Sequence, residues 1–236
     1  MTEHELVGAY VRGQISRRTF IRRLMKLGVS LTAALTYSNV LWASPASASS
    51  ALDLYNLYCT GGDVVPVVVR DGLFRPRSVT IEYGDHVKWT MSPSNAQNHN
   101  VKDKGPVALF DSGPVAPGAN YQFQFVAAGR YPAGCGIHPG PKEQTIVTVM
   151  PTVSPPAGTT STTFTITYAC KPASTGFIYE LWVRRPGQGF KVLQTGTAPS
   201  KTFTPDAGPG PYAFRARLRR LSGGASQYAV IAVQVS

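Results

Sequence analysis

Beyond residue 48 no stretch holds an apolar period of 3.6 long enough for an amphipathic helix, and this confines the rest of the chain to β-structure. Short runs of Val, Ile, Tyr, Phe and Thr recur instead, each closed by turn residues drawn from 23 Gly and 19 Pro. Strands are expected at 64–69, 78–83, 86–91, 99–101, 121–126, 129–132 and 145–149. The clearest period of two sets Tyr121, Phe123 and Phe125 against Gln122 and Gln124. The Pro- and Ser-dense run from Met150 to Gly158 then breaks the pattern, and residues 151–157 read as a linker. The fold class is all-β: one β-sandwich over 62–150, preceded by a segment at 49–61, and a second over 158–236.

The second series of strands is expected at 163–168, 178–184, 191–195, 201–204, 212–218 and 228–235. Tyr179, Leu181 and Val183 oppose Glu180, Trp182 and Arg184, while Phe214, Ala216 and Leu218 oppose Arg215, Arg217 and Arg219. The arginine stripe reads either as the solvated face of an antiparallel sheet or as a docking surface for an acidic partner. No Ser/His/Asp set or carboxylate pair accompanies it.

The first 48 residues have a different character. Ser16-Arg17-Arg18-Thr19-Phe20-Ile21 is a twin-arginine signature, followed by a moderately apolar stretch from Leu24 to Trp42 and the small-residue run Ala46-Ser47-Ala48. This order resembles a Tat export signal. Lys26, Gly28, Ser30, Thr32, Thr36 and Asn39 make the stretch too polar for a comfortable membrane span, so cleavage after Ala48 is expected, with an uncleaved N-terminal anchor as the other course. No later segment reads as transmembrane, and the expected location is periplasmic, extracellular or at the cell surface. The formal charge of +11 falls to +7 without the signal, with 17 Lys/Arg against 10 Asp/Glu. Those basic residues are scattered and carry no binding motif, which argues against nucleic acid as a partner.

Chemistry concentrates in Tyr131-Pro-Ala-Gly-Cys135-Gly-Ile-His138-Pro-Gly140, with His99 upstream. A thiolate and two imidazoles, joined by a Cys-x-x-His loop and one distant His, form a donor set suited to copper in electron transfer. A lone Cys-x-x-His pair would carry little weight. His86 lies in an alternating strand and reads as solvent-facing, Met91 as packing or surface.

Several further pieces, in order, resemble the plastocyanin-like branch of the cupredoxins over 62–150. They are Gly84-Asp85-His86-Val87-Lys88-Trp89, His99-Asn100-Val101, Phe110-Asp111-Ser112-Gly113 with Pro117-Gly118, Gly129-Arg130-Tyr131, and the cysteine loop itself. The resemblance implies a Greek-key β-sandwich or barrel holding one copper ion on His99, Cys135 and His138. It also implies that Asn100 bonds across to the cysteine loop. The family's axial Met is absent: its two usual positions hold Pro141 and Glu143. Three outcomes follow: Glu143 as an axial carboxylate that favours oxidised copper, a three-coordinate site with Glu143 turned to solvent, or a degenerate site without metal. With Cys135 given to copper, Cys59 and Cys170 remain as one potential disulfide. The later half resembles a fibronectin type III or related immunoglobulin-like sandwich, with Tyr212 at that family's strand-F tyrosine.

The chain therefore reads as an exported mononuclear copper protein carrying single electrons to an unidentified redox partner, not an enzyme. The second sandwich would serve as spacer or docking module with cell-surface contact. The alternative is a non-redox copper buffer or chaperone, or an adhesion-type binding protein that kept a cupredoxin shell. A nitrite reductase or multicopper oxidase would need a second copper centre, and one ligand set is visible.

Overall fold

The computed structural model describes residues 17–26 and 62–236, apart from 139 and 141. The apolar part of the expected signal beyond residue 26, its cleavage point, Cys59 and Pro141 lie outside the described residues. The chain divides into two units, Met1–Asp63 and Val64–Ser236. In the first, α1 (Arg17–Lys26) buries Phe20 and Leu24, which lie four residues apart on one helix face. The Thr19 hydroxyl donates to Asp63, and Arg22 Nη1 pairs with the same carboxylate at 2.7 Å. No helix among the described residues is long and apolar enough to cross a membrane.

The second unit is all-β and begins with eight strands: β1 (Val64–Arg70), β2 (Leu73–Arg75), β3 (Ser78–Glu82), β4 (His86–Met91), β5 (Lys102–Asp103), β6 (Asn120–Gln124), β7 (Gly129–Gly134) and β8 (Gln144–Met150). They form two mixed sheets in the orders β2-β1-β4-β6 and β3-β8-β7-β5, with β1/β4 and β3/β8 parallel. A parallel pair cannot be closed by a tight hairpin, so the chain crosses between sheets, and that crossing makes a sandwich. Alternation drives the burial. Val87, Trp89 and Met91 of β4, Val67 and Val69 of β1, Tyr131 and Ala133 of β7, and Val147 and Val149 of β8 all face inward. Trp89 packs among Phe110, Tyr121 and Phe125, with ring centroids 5.8–6.4 Å apart. The expected strand at 99–101 reduces to one bridge between His99 and Val115, because the segment's groups are used by loops instead of a neighbouring strand.

Eight more strands follow: β9 (Thr152–Ser154), β10 (Ala157–Gly158), β11 (Phe164–Thr167), β12 (Phe177–Arg184), β13 (Phe190–Gly196), β14 (Ser200–Phe203), β15 (Gly210–Arg220) and β16 (Ala229–Val235). The sheets are β9-β11-β14 and β10-β16-β15-β12-β13. Two of these strands fall inside the stretch read as a linker. Thr152–Ser154 pairs antiparallel with β11, and the Pro155-Pro156 pair only carries the chain from one sheet to the other. Tyr212 OH accepts from Ala207 N at 2.9 Å and donates to Gly208 O at 3.0 Å, pinning the turn before β15.

The outward side of this larger sheet differs from the expected solvated stripe. Glu180 is buried at 5% exposure and takes Arg217 Nε at 2.6 Å and Arg219 Nη1 at 2.9 Å. Burial works to raise the Glu180 pKa, and Arg219 and Arg217 outweigh it, holding the carboxyl below its ordinary value. Arg215 lies over the rings of Tyr228, Phe190 and Trp182 at 4.1–4.7 Å. Two of the stripe's arginines thus share one carboxylate of their own sheet, and the third is stacked on aromatic rings.

Backbone contacts join the two sandwiches near the start of β7. Ala128 N donates to Tyr168 O at 2.7 Å, Cys170 N to Val126 O at 3.0 Å, and Arg130 N to Gln227 O at 2.9 Å. Gly129, at φ +155°, is required here, since a Cβ would collide with Ser226 Oγ and the Tyr131 ring. From this junction β7 runs its whole length, about 20 Å at the rise of a strand, before it delivers Cys135. The cysteine loop therefore sits at the pole of the first sandwich a strand's length from this junction.

Candidate metal site

Three loops meet at that pole. Asp71-Gly72 forms the two-residue turn of the β1–β2 hairpin, with Gly72 at φ +73°. The β4–β5 connection supplies His99 and Asn100. The β7–β8 connection supplies Cys135, His138 and Glu143, and is closed at its base by Cys135 N to Glu143 O and Glu143 N to Gly140 O, both 3.1 Å.

One ligand atom each from His99, Cys135 and His138 falls within 4.8 Å of the other two. His99 and Cys135 are 2% exposed, and His138 is half-buried. His99 is held from behind: its Nε2 lies 2.8 Å from Asp71 Oδ1, and Asp71 Oδ2 accepts from Ala96 N at 2.8 Å. That leaves His99 Nδ1 buried with no hydrogen-bond partner. Burial depresses the His99 pKa, but Asp71, then Cys135 and Glu143, more than compensate and hold it above the ordinary histidine value. Ala96 N–H, then His99, lower the pKa of Asp71.

Cys135 is a free thiol. Burial pushes its pKa up, while the backbone N–H groups of Asn100, His138 and Ile137, with the His99 side chain, push it down further, so the thiolate is favoured. His138 N lies 3.4 Å from Sγ. Asn100 ties the loops together, with Oδ1 accepting from Gly136 N at 2.6 Å and Nδ2 donating to Asp111 Oδ1 at 3.2 Å. Lys102 Nζ stands 3.3 Å from Asp111 Oδ2.

Glu143 does not turn to solvent: its side chain is 4% exposed. Oε1 accepts from Gly72 N at 2.8 Å and lies 3.9 Å from His99 Nδ1, while Oε2 is buried without a partner. Asp71 went unread in the sequence. Its Asp-Gly pair signals a hairpin turn, but nothing local says that this turn touches a histidine 28 residues on. Of the other histidines, His86 is half-buried on β4, well outside the cluster, and Met91 is fully buried core. Cys170 is disulfide-bonded; Cys59, its expected partner, lies outside the described residues.

The residues fit a metal ion on their own chemistry. An orphaned imidazole nitrogen, a favoured thiolate and a second imidazole gather in one small volume, and the buried Glu143 carboxylate stands beside His99 at its edge. Unpartnered buried polar atoms are costly, and an ion coordinated there would remove the cost.

No protein-family model matches the chain, and no curated protein matches it. Solved structures do. A purple cupredoxin from Nitrosopumilus maritimus is 24% identical, spanning 36% of this chain and 98% of that one at TM-score 0.32. Amicyanin from Paracoccus versutus is 26% identical over 37% of this chain and 81% of that one, at TM-score 0.32. A copper-containing nitrite reductase from Thermus scotoductus is 23% identical over 36% of this chain but 22% of its own, at TM-score 0.31.

Proposed function

We propose that the protein is an exported mononuclear copper protein of cupredoxin type that carries single electrons, with the second sandwich as spacer or docking module. The observation that carries this reading is the convergence of His99 Nδ1, left without a partner, with the Cys135 thiol and the His138 ring. Copper, when bound, would supply the one-electron couple.

The chain's own residues would keep that couple fast. Asp71 fixes the His99 ring, Asn100 fixes the cysteine loop through Gly136, and backbone N–H groups hold the sulfur in place. Donors held this way in a β-scaffold have little room to rearrange between oxidation states. His138, the half-buried donor, gives an electron its shortest way to the surface. The ordering of β9-β11-β14 against β10-β16-β15-β12-β13, and the Tyr212 hydroxyl bonds, support a fibronectin type III-like second sandwich. Export by the Tat route, to the periplasm, the exterior or the cell surface, rests on the twin-arginine signature and the small-residue run.

Titration of the mature protein with Cu(II) and with Zn(II) tests the reading. Copper should bind one to one and produce a thiolate-to-copper absorption band and an EPR signal, both absent in Cys135→Ser. The same band after zinc, or none with copper, overturns it. Tight copper binding without reversible voltammetry would move the protein to the copper-buffer class.

A further inference from the structure

We infer that Arg220 of the second sandwich is a positioning residue for the metal site: it braces from outside the β5–β6 connection, which holds Asn100 and the cysteine loop in register. Its functional meaning rests on the copper reading just given, while the brace itself is a property of the chain alone. The second sandwich then has a part in the site besides spacing or docking. Arg220 Nη2 donates to Ala108 O at 2.8 Å, whereas the neighbouring Arg219 turns the other way, to Glu180. Ala108 is the one non-glycine residue at positive φ among the described residues, at +46°, a conformation that persists where its surroundings over-determine it. Gly224, at φ +86°, packs so closely on the same connection that a Cβ there would collide with Pro106 O. Arg220 N donates to Gly224 O at 3.0 Å, so guanidinium and glycine belong to one tight turn and grip one loop.

The gripped loop is folded around Asp103. That side chain is 2% exposed and accepts from Gly105 N and Leu109 N, both at 2.8 Å, while Asp103 N donates to Phe110 O at 2.9 Å. Burial pushes the Asp103 pKa up and prevails over the Leu109 and Gly105 N–H groups and then the Arg220 charge. Asp103 is also the end of β5, which pairs with Ala133 and Gly134 immediately before Cys135. Lys102 bridges to Asp111, Asp111 Oδ1 accepts from Asn100 Nδ2, and Asn100 Oδ1 accepts from Gly136 N. Each step from Arg220 to Gly136 is a hydrogen bond, a strand bridge or a peptide link, the contiguous kind of network through which coupling can travel. The competing explanation is that Arg220 only stabilises the contact between the sandwiches. In that case the cysteine loop would not sense its loss.

Arg220→Met keeps an apolar side chain over the Phe177 ring and removes the donor and the charge. Amide hydrogen exchange of the metal-free protein should then quicken at Gly105, Leu109 and Gly136 by about tenfold or more, the worth of one hydrogen bond from a charged group. The amide of Phe125, bonded to Asp85 O, should stay within about twofold, and Arg220→Lys should restore part of the protection. Acceleration confined to Gly105 and Leu109, or equal acceleration at Phe125, overturns the inference and leaves Arg220 as a stability contact. Loaded with copper, Arg220→Met should show broader EPR lines and slower electron self-exchange at unchanged stoichiometry. A loosened Gly136 with spectrum and rate unaltered would overturn the positioning role. Should Arg220→Met fail to fold, the wild type still decides: Leu109 and Gly136 should open with the same free energy, as one unit, and separate values overturn the brace. Absence of the thiolate band in wild type would instead sink the copper reading, a case the metal-free exchange measurements keep apart.

Discussion

Glu143 in the first sandwich and Glu180 in the second are equally buried, each at 5% exposure, yet their surroundings differ completely. Glu180 gives both oxygens to arginines, with Tyr228 OH a further 3.4 Å from Oε2. Glu143 receives a single backbone N–H and keeps one oxygen bare. A buried carboxylate whose charge is met by its own chain is part of the structure. One that keeps an oxygen bare, beside an imidazole nitrogen without a hydrogen-bond partner and a free thiol, points to something the chain expects to bind. The lone glutamates look alike in the sequence, and the neighbours brought in by the fold give them different roles.

The sharpest way to break this contrast is to remove one member of each region and read both properties. Cys135→Ser should cost about a hundredfold or more in copper affinity, beyond the 10–100-fold typical of residues that merely support ligands. Apo stability should stay within about 1 kcal/mol, because serine keeps the volume and can accept the same N–H groups. Glu180→Ala should do the opposite, costing about 2 kcal/mol in denaturant unfolding as the half-buried Arg217 and the exposed Arg219 lose their partner, with copper spectra unchanged. If Glu180→Ala altered the copper site, or Cys135→Ser unfolded the protein, the two regions would not be separable as claimed.

Acidity sharpens the same point. Folding lowers the pKa of Glu180, so its contribution is complete above the unfolded value near 4.5 and is lost as pH falls through the lower, folded value. Stability of the wild type should therefore fall below about pH 4.5, and that of Glu180→Gln should fall less steeply over the same window. A parallel loss in both would show that other carboxylates dominate acid unfolding.

Much of this is legible in the sequence, and what is hidden has a common cause. Period-two alternation located nearly all long strands, because burial on one face of a sheet writes itself into every second residue. Cys135, His138 and His99 could be read because their types and order are chemically unusual. Asp71 could not, since its contact with His99 comes from a hairpin in another part of the chain. The short strands Leu73–Arg75 and Thr152–Ser154 were missed for a similar reason: three residues carry too little pattern, and pairing with β1 and β11 makes them strands. Alternation also placed Glu180 outward, which is correct for direction but silent on burial. Cross-strand partners on β15 cover it.

Support at a distance can be weighed with Asp71→Asn. The amide keeps a hydrogen-bonding atom near His99 Nε2 but loses the charge that raises the imidazole pKa. Copper affinity should drop by about tenfold, with a wild-type absorption band of lower occupancy at equal metal. An unchanged affinity would mean that packing alone orients His99.

The smallest expected effect lies on the second sandwich, where Arg185 and Asp206 form a two-pronged pair, Nε to Oδ1 at 2.6 Å and Nη2 to Oδ2 at 2.5 Å. Its geometry is as good as that around Glu180, but Asp206 is 48% exposed against 7% for the Glu180 side chain. Water already solvates such a pair when it is broken, so Arg185→Ala should cost under about 1 kcal/mol, including the guanidinium's packing over Phe203. The electrostatic part should shrink further in high salt, where the Debye length falls to about 3 Å at 1 M. Urea unfolding of Arg185→Ala and Glu180→Ala side by side makes the comparison. Should the exposed pair prove worth as much as the buried one, burial would not be what separates a structural carboxylate such as Glu180 from Glu143, and only the bare oxygen of Glu143 would set the two apart.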